Sequence, residues 1–399
     1  MSRPTSDPGR GAATETPSPI HVLRVADVRG DQLGGAARAM RETSALLIQR
    51  GHVVDHRFSE DMPIPGPERW RRILVPIFVL SYVTWLKVRG EGPDLVEIHE
   101  PLAAPYAIVR ALTMRRQLPP MVAFSHGLEE RAWRVQRARW QLRGQKGPLS
   151  SRFLVPLTLV APAKIALRLA DTVIVLSSQD RDHLLHKRGR RSGRIYRIDN
   201  GVEEDLLTLP RAPRGPDGSV VLLFVGSWID RKGTPELVQA FTRLCRDHPN
   251  ARLIVAGAGR RPDEVLSSFA ASVQENLEVH QSVTRSELRE LLGRADLYVL
   301  PSWFEGMPLS LLEAAAAGLP IVASDTCGIR DVLRPNNPAG DGGRLVPPHD
   351  GAALHAALDE LFRDPALRVQ LGARARARAR AFPWSSSADA LERAYLASV

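Results

Sequence analysis

The sequence predicts an α/β protein built from two doubly wound domains that face each other across a cleft. Three observations predict it. Short β-branched runs alternate with helical patterns along nearly the whole chain, the alternation restarts after a Pro/Gly/Arg-rich linker, PRAPRGPDGS at 210–219, and 399 residues suit two cores of ordinary size.

The first half reads IHVLRVA (20–26), a helix from about Gly34 to Arg50, DLVEIH (94–99), MVAFSH (121–126) and TVIVLS (172–177). Such alternation is the βαβ pattern of a parallel sheet covered by helices on both faces. The second half repeats it with VVLLFVG (220–226), ARLIVAG (251–257), LEVH (277–280), DLYVLPS (296–302) and IVAS (321–324). The domains are accordingly placed at 20–208 and 209–383, both Rossmann-like. Residues 1–19, rich in Pro, Ser, Thr and Gly with no apolar period, are expected to be a disordered tail. Near the C-terminus ARARARARA (373–381) reads as a solvated helix without function, broken by FPW (382–384) before a last helix.

Composition excludes several classes. Hydrophobic residues make up 44% and charged residues 25%, a globular balance. Nothing resembles a signal peptide or an 18-residue apolar span, so a cytoplasmic protein is expected. The two cysteines, Cys245 and Cys327, cannot build a disulfide framework or a metal cage by themselves. Net charge is +10, and of the 54 Lys and Arg residues only Lys87, Lys146, Lys164, Lys187 and Lys232 are lysines. No aromatic-basic RNA motif or zinc spacing accompanies this arginine excess, so no nucleic-acid partner is expected.

In doubly wound sheets ligands bind beyond the carboxyl ends of the strands, so the residues that follow each strand are the candidates. Lys232 and Gly233 follow FVG at the start of a helix, where amides and the helix dipole favour a phosphate; a surface lysine is the plain alternative. Gly34 and Gly35 follow the first strand, as a tight turn or as a close backbone approach to a ligand. In PSWFEGMPLSLLEAAAAGLP (301–320), Glu305 sits in a loop and Glu313 in a helix of Leu and Ala. An ionised Glu313 in that apolar setting needs polar partners, either capping amides or ligand hydroxyls. Glu305, with the amides of Gly306 and Met307, would address a neighbouring part of the same ligand. His126, at the end of MVAFSH, is either structural or a ligand contact. Asp180, Arg181 and Asp182, with His183 and His186, read as a helix start capped from Ser177, and no metal site is predicted.

Taken together, the paired glutamates of FEGMPLSLLEAAAAGLPIVAS, Lys232-Gly233 after FVGSW, Asn200-Gly201-Val202 after RIYRID, Gly34-Gly35 and the closing FPW resemble the retaining GT-B glycosyltransferases of the large family four group. The resemblance implies a nucleotide-sugar donor, a UDP- or GDP-sugar, bound by the second domain. It also implies an acceptor-side first domain on which helix 384–399 packs back, and retention of configuration without a metal. By it, Glu313 matches the residue that holds the ribose hydroxyls. Glu305 matches the one near the donor sugar, with the amides of Gly306, Met307 and Leu309 on sugar or phosphate. Lys232 matches the pyrophosphate lysine and His126 the first-domain histidine facing the sugar. Gly34 and Gly35 fall near the phosphates, and Asn200-Gly201 at the interdomain hinge. Two departures stand out. Ser227 follows Gly226 where an arginine is common, leaving Arg231 to supply that charge, and Cys327-Gly328 with Asp331 replaces a Gly-Gly and a later Glu. No carboxylate nucleophile emerges, which fits front-face substitution assisted by the leaving phosphate.

The resemblance implies transfer of a hexose to a glycan, glycolipid or small molecule. A sugar-nucleotide epimerase or hydrolase, or a non-catalytic sugar-nucleotide-binding protein, are the alternatives. Two segments bear on the acceptor. RWRRILVPIFVLSYVTWLKVR (69–89) is expected in the core; RAWRVQRARWQLRGQK (131–146) is either a solvated acceptor-side loop or a basic helix touching an anionic membrane peripherally.

Overall fold

The computed structural model describes residues 18–30, 34–62, 64, 68–113, 117–142, 144, 146–188, 194–210, 218–333 and 342–399. Nearly all of the N-terminal tail and most of the 210–219 linker lie outside these residues.

The first domain runs β1 (His21–Val25), α1 (Gly35–Gln49), β2 (Val53–Arg57), α2 (Glu68–Val88), β3 (Leu95–His99), α3 (Ala104–Leu112), β4 (Met121–Ser125) and α4 (Glu129–Leu142). It continues with α5 (Leu149–Val155), a π-turn at Pro156–Val160, α6 (Ala161–Leu169), β5 (Thr172–Val175), α7 (Ser178–Arg188) and β6 (Ile195–Arg197). The second runs β7 (Val220–Val225), α8 (Thr234–Asp247), β8 (Ala251–Ala256), α9 (Pro262–Leu266), β9 (Leu277–His280), α10 (Arg285–Arg294) and β10 (Leu297–Leu300). It continues with α11 (Leu309–Ala316), β11 (Ile321–Ser324), α12 (Cys327–Leu333), β12 (Gly343–Val346), α13 (Gly351–Arg363) and α14 (Pro365–Ala379), before α15 (Trp384–Leu396).

Each domain holds a six-stranded parallel sheet, ordered β2-β1-β3-β4-β5-β6 and β12-β11-β10-β7-β8-β9. Strand order reverses beside β1 in the first sheet and beside β7 and β10 in the second, so the loops leaving β1, β7 and β10 open at the two switch points. The strands absent from the sequence reading, VVDHR (β2), IYR (β6) and GRLV (β12), are all edge strands. An edge strand is wetted on one side and lacks the continuous apolar run that marks a central one. Segment 69–89 does pack in the core: α2 buries Val75, Val79, Val83 and Leu86 along one face.

At the centre of the first domain Glu97 is fully buried. Its Oε1 accepts from Arg24 Nε at 2.8 Å and stands 3.0 Å from His99 Nε2, while Oε2 accepts from Tyr395 at 2.6 Å. Arg24 Nη1 in turn donates to the Met40 carbonyl, Thr43 and Ser44 of α1, each at 2.8 Å. Burial alone would raise the Glu97 carboxyl; the Arg24 charge and the His99 and Tyr395 hydrogen bonds reverse this and bring it down to about 2. Tyr395 belongs to α15, which also pairs Glu392 with Arg50 at 2.5 Å and with His52 at 2.9 Å. The last helix therefore lies on the first domain.

The chain crosses between domains twice, and the crossings lie side by side. Val202 N donates to the Phe382 carbonyl at 2.8 Å, Ser387 Oγ donates to the Asp199 carbonyl at 2.7 Å, and Gly201 lies against Trp384. The arginine run before the second crossing is not merely solvated, contrary to the sequence expectation. Arg376 donates to the carbonyls of Ala316 and Ala317 at 3.1 and 2.7 Å, and Arg378 to those of Val332 and Asp331 at 3.0 and 3.3 Å. Both thus satisfy orphan carbonyls at the ends of α11 and α12.

Replacing Arg24 by Met should leave Glu97 charged, buried and short of its main partner, a loss of about 3–5 kcal/mol. Tyr395→Phe, which removes one of several hydrogen bonds, should cost about 1–2 kcal/mol. Urea unfolding followed by circular dichroism would test this ranking, and an unshifted midpoint for Arg24→Met would contradict it.

Candidate active site

The loops after β7 and β10 meet at the second domain's switch point. Beyond β7, Gly226 and the exposed Ser227 lead into a short turn, Asp230–Lys232, and then Gly233. Gly233 has φ +73°, and a Cβ there would lie 1.9 Å from the Pro301 carbonyl oxygen, so only glycine lets the two loops touch. That contact brings Lys232 Nζ to 2.6 Å from Glu305 Oε1. Trp303 N donates to the Arg231 carbonyl at 2.9 Å, and Arg231 Nη1 to the Phe304 carbonyl at 3.3 Å. Burial would raise the Glu305 carboxyl, but the Lys232 and Arg231 charges, with the hydrogen bond from Lys232, outweigh it and hold the group below its ordinary value. It is ionised at neutral pH.

Glu313 is buried one turn into α11. Its partner comes from the opposite domain: Arg38 Nη1 donates to Glu313 Oε1, while Arg38 Nη2 reaches Glu203 Oε1 at 2.6 Å. Arg285, the first residue of α10, pairs with the other oxygen of Glu203. The sequence reading missed this cluster. Its available signal was Arg38 one turn after Gly34-Gly35, on the helix that begins at the cleft.

From the first domain, Asn200, His126 and Gly35 hold the 305–309 loop. Asn200 Nδ2 donates to the Met307 carbonyl at 2.8 Å. Gly306 lies so close to His126 that a Cβ on it would stand 2.0 Å from the His126 carbonyl oxygen, which excludes any larger residue. Gly35 faces Leu309, with 3.6 Å between the leucine and the position a Cβ would take; Gly34 precedes it as the N-cap of α1.

His126 stands at the end of a buried relay. Its Nε2 is 2.8 Å from His99 Nδ1, and His99 Nε2 is 3.0 Å from Glu97. Ionised Glu97 can only accept, so His99 Nε2 carries its proton, His99 Nδ1 accepts from His126 Nε2–H, and His126 Nδ1 is left as an acceptor. Burial first, with the positive charge of Arg24, pushes His126 down to about 3, so its imidazole is neutral.

The departures from the family pattern acquire physical roles. Cys327 takes a positive φ of 32°, a conformation natural to the glycine common at that position, and burial pushes its thiol up to about 12. Asp331 accepts from Ser178 N at 2.7 Å, binding the start of α7 across the cleft.

Segment 131–146 is neither a loop nor wholly turned outward. Most of it is α4, whose Arg139 pairs with Glu236 of α8 at 2.5 Å and lies 4.8 Å from the centre of the Trp303 ring. Trp303 Nε1 donates to the same Glu236 at 2.8 Å, and Arg131 stacks 5.6 Å from the Phe304 ring. One side of α4 therefore forms the cleft wall beside Glu305. The acid and histidine group on α7 behaves as a helix start: Asp180 N donates to Ser177 Oγ at 3.1 Å, and Asp180 pairs with Arg131 at 2.6 Å. Among the described residues, no three His, Cys, Asp or Glu side chains are grouped to hold a metal ion.

Two doubly wound domains with opposed switch points define the GT-B class. Residues 208–378 match the family model for glycosyl transferases group 1, and residues 33–206 that for glycosyltransferase family 4. Glycogen synthase of Mycobacterium tuberculosis is 32% identical over 313 residues, 78% of this chain and 70% of that protein. Among solved structures, sucrose-phosphate synthase from Thermosynechococcus elongatus superposes with a TM-score of 0.71 at 23% identity, covering 94% of this chain and 98% of that one. HepE of Anabaena, in complex with UDP and glucose, superposes with a TM-score of 0.65 at 16% identity, covering 95% and 100%. The chain belongs to this family and is a GT-B glycosyltransferase. No helix among the described residues is long and apolar enough to cross a membrane.

Buried His99 and half-buried His126 and His56 all have depressed basicity, His126 to about 3 and His56 to about 4, against an ordinary 6.5. The unfolded chain takes up these protons near pH 6.5 while the folded chain does not, so stability is complete above that pH and falls as pH drops towards 4. Thermal melts between pH 8 and 4 should show this fall, with a shallower slope for His126→Gln. Identical slopes would mean that His126 already carries a proton in the fold.

Proposed function

We propose that the protein moves a hexose from a UDP- or GDP-sugar to a glycan, glycolipid or small-molecule acceptor with retention of configuration, and that the transfer takes place where the two switch points meet. The observation that carries this reading is the convergence of Lys232, Glu305 and Glu313 from two strand ends onto a loop that also touches His126. Glu313 holds the ribose hydroxyls. Lys232, with Arg231 compensating for Ser227, faces the diphosphate and stabilises the negative charge that develops as the sugar–phosphate bond breaks. Glu305 and the amides of Gly306, Met307 and Leu309 orient the sugar, and neutral His126 offers it a hydrogen bond without repelling an oxocarbenium-like centre.

The reaction is then front-face substitution, in which the departing phosphate oxygen takes the acceptor proton. No metal is called upon, because Lys232, Arg231 and the loop amides provide the positive field. The 32% identity to a glycogen synthase supports sugar transfer, and a structural neighbour bound to UDP and glucose is in keeping with a nucleotide-sugar donor.

In this reading donor binding is an exchange of partners. A diphosphate draws Lys232 from Glu305, and ribose hydroxyls displace Arg38 from Glu313. Calorimetry and thermal shift with UDP, GDP, ADP and their sugars should therefore show one preferred nucleotide. Glu313→Ala should weaken its binding by about 1–3 kcal/mol, while Arg38→Met, which removes the competitor, should tighten it. Weakening by both variants would mean that Arg38 helps to bind the donor instead of competing with it. Lys232→Ala should lower kcat by about 10²-fold. An unaltered kcat would remove the leaving-group role, and donor consumption without any acceptor would favour a hydrolase.

A further inference from the structure

Residues 131–170 form a run of forty that contains nine Arg and Lys and no Asp or Glu. The run folds as α4, α5, the π-turn and α6. The chain turns back after α4 as a hairpin in which α4 packs on the π-turn and α6, with Trp133 Nε1 donating to the Ser151 carbonyl of α5 at 3.3 Å. One side of α4 is spent on the cleft wall through Arg131 and Arg139. The hairpin leaves apolar side chains in the open: Leu142 is 73% exposed, Leu149 70%, Phe153 66%, Leu154 55% and Leu157 68%. Leu149, Phe153 and Leu157 are four residues apart and so share one helical stripe. Arg137 and Arg152 are exposed on the same hairpin, their guanidinium groups over the Trp133 and Phe153 rings at 4.7 and 5.8 Å. The neighbouring acid, Glu130, is shared by Arg134 and Lys164.

We propose that the α4–α5 hairpin is a docking surface for an anionic lipid bilayer, with the Leu149–Leu157 stripe entering the interface and the arginines meeting lipid phosphates. An exposed aliphatic stripe of this size marks a contact surface. Its basic surroundings select the occupant. A specific protein partner is matched by charges of both signs at fixed places, whereas a run of forty residues without an acid suits a diffuse negative surface. The other side of α4 bears on Trp303 and Phe304, next to Glu305, so a bilayer seated on the stripe lies beside the site of transfer. A lipid-borne acceptor follows from that placement, and this last step alone rests on the transferase reading.

The test is flotation of the full chain with phosphatidylcholine vesicles, with and without phosphatidylglycerol, at low and at molar salt. Binding should require the anionic lipid and weaken with salt. The double variant Phe153→Ser/Leu157→Ser should bind at least about tenfold more weakly, whereas Val369→Ser, an exposed apolar residue of the second domain, should bind as the parent does. Circular dichroism and the nucleotide-induced thermal shift, measured on the same samples, establish that the double variant is folded. No binding to anionic vesicles at low salt would overturn the proposal, as would equal binding by a folded double variant. A dimer in sedimentation velocity that the double variant abolishes, without vesicle binding, would assign the stripe to a second copy and overturn it as well. Vesicle binding without any nucleotide response would keep the surface and remove the transferase reading.

Discussion

A carboxylate at the centre of a sheet must be compensated completely, and Glu97 is the constraint on which much else depends. Its partners come from three separate places: Arg24 on β1, His99 at the end of its own strand, and Tyr395 near the C-terminus. Arg24 carries the network onward into α1. One buried charge therefore fixes the entry helix of the first domain, holds the last helix of the chain and, through His99, sets which nitrogen of His126 bears a proton. The site histidine inherits its tautomer from a residue in the core.

Polar groups from both domains meet across the cleft. Arg38 with Glu313, Arg139 with Glu236, Ser178 with Asp331 and Asn200 with Met307 span the cleft, each joining one domain to the other. Interfaces of this kind allow relative motion more readily than an apolar seam does, because water and ligands can replace each bond. The groups that join the domains are in part the groups a donor would claim, so the closed form and the loaded form draw on the same side chains.

Much of the fold was legible in sequence because central strands of a doubly covered sheet are predominantly apolar. Three of the four edge strands were not, since VVDHR, IYR and GRLV carry charges that a half-wetted strand tolerates. In the site, Lys232, Glu305 and Glu313 could be picked out because lysine is scarce in this chain and carboxylates are out of place among Leu and Ala. Arg38, Arg139, Arg376 and Arg378 were invisible for the opposite reason. Against so many arginines a single functional one has no contrast, and only the coordinates separate a guanidinium that joins two domains or caps a helix from one that faces water. The strained backbone at Cys327 showed only through the resemblance, whose pattern has a glycine there; a positive φ leaves no mark on an isolated residue name.

The return of α15 to the first domain also sets an order of assembly during synthesis. All six strands of the first sheet are made long before Tyr395, yet Glu97 lacks that partner until the second domain has been made. The domain that is translated first is the one that is finished last. In the interval the nascent first domain holds an under-compensated charge in its core and has no cover over α1, while the second domain is already able to fold. The first domain's core is thus closed by a helix that follows the whole of the second domain in sequence.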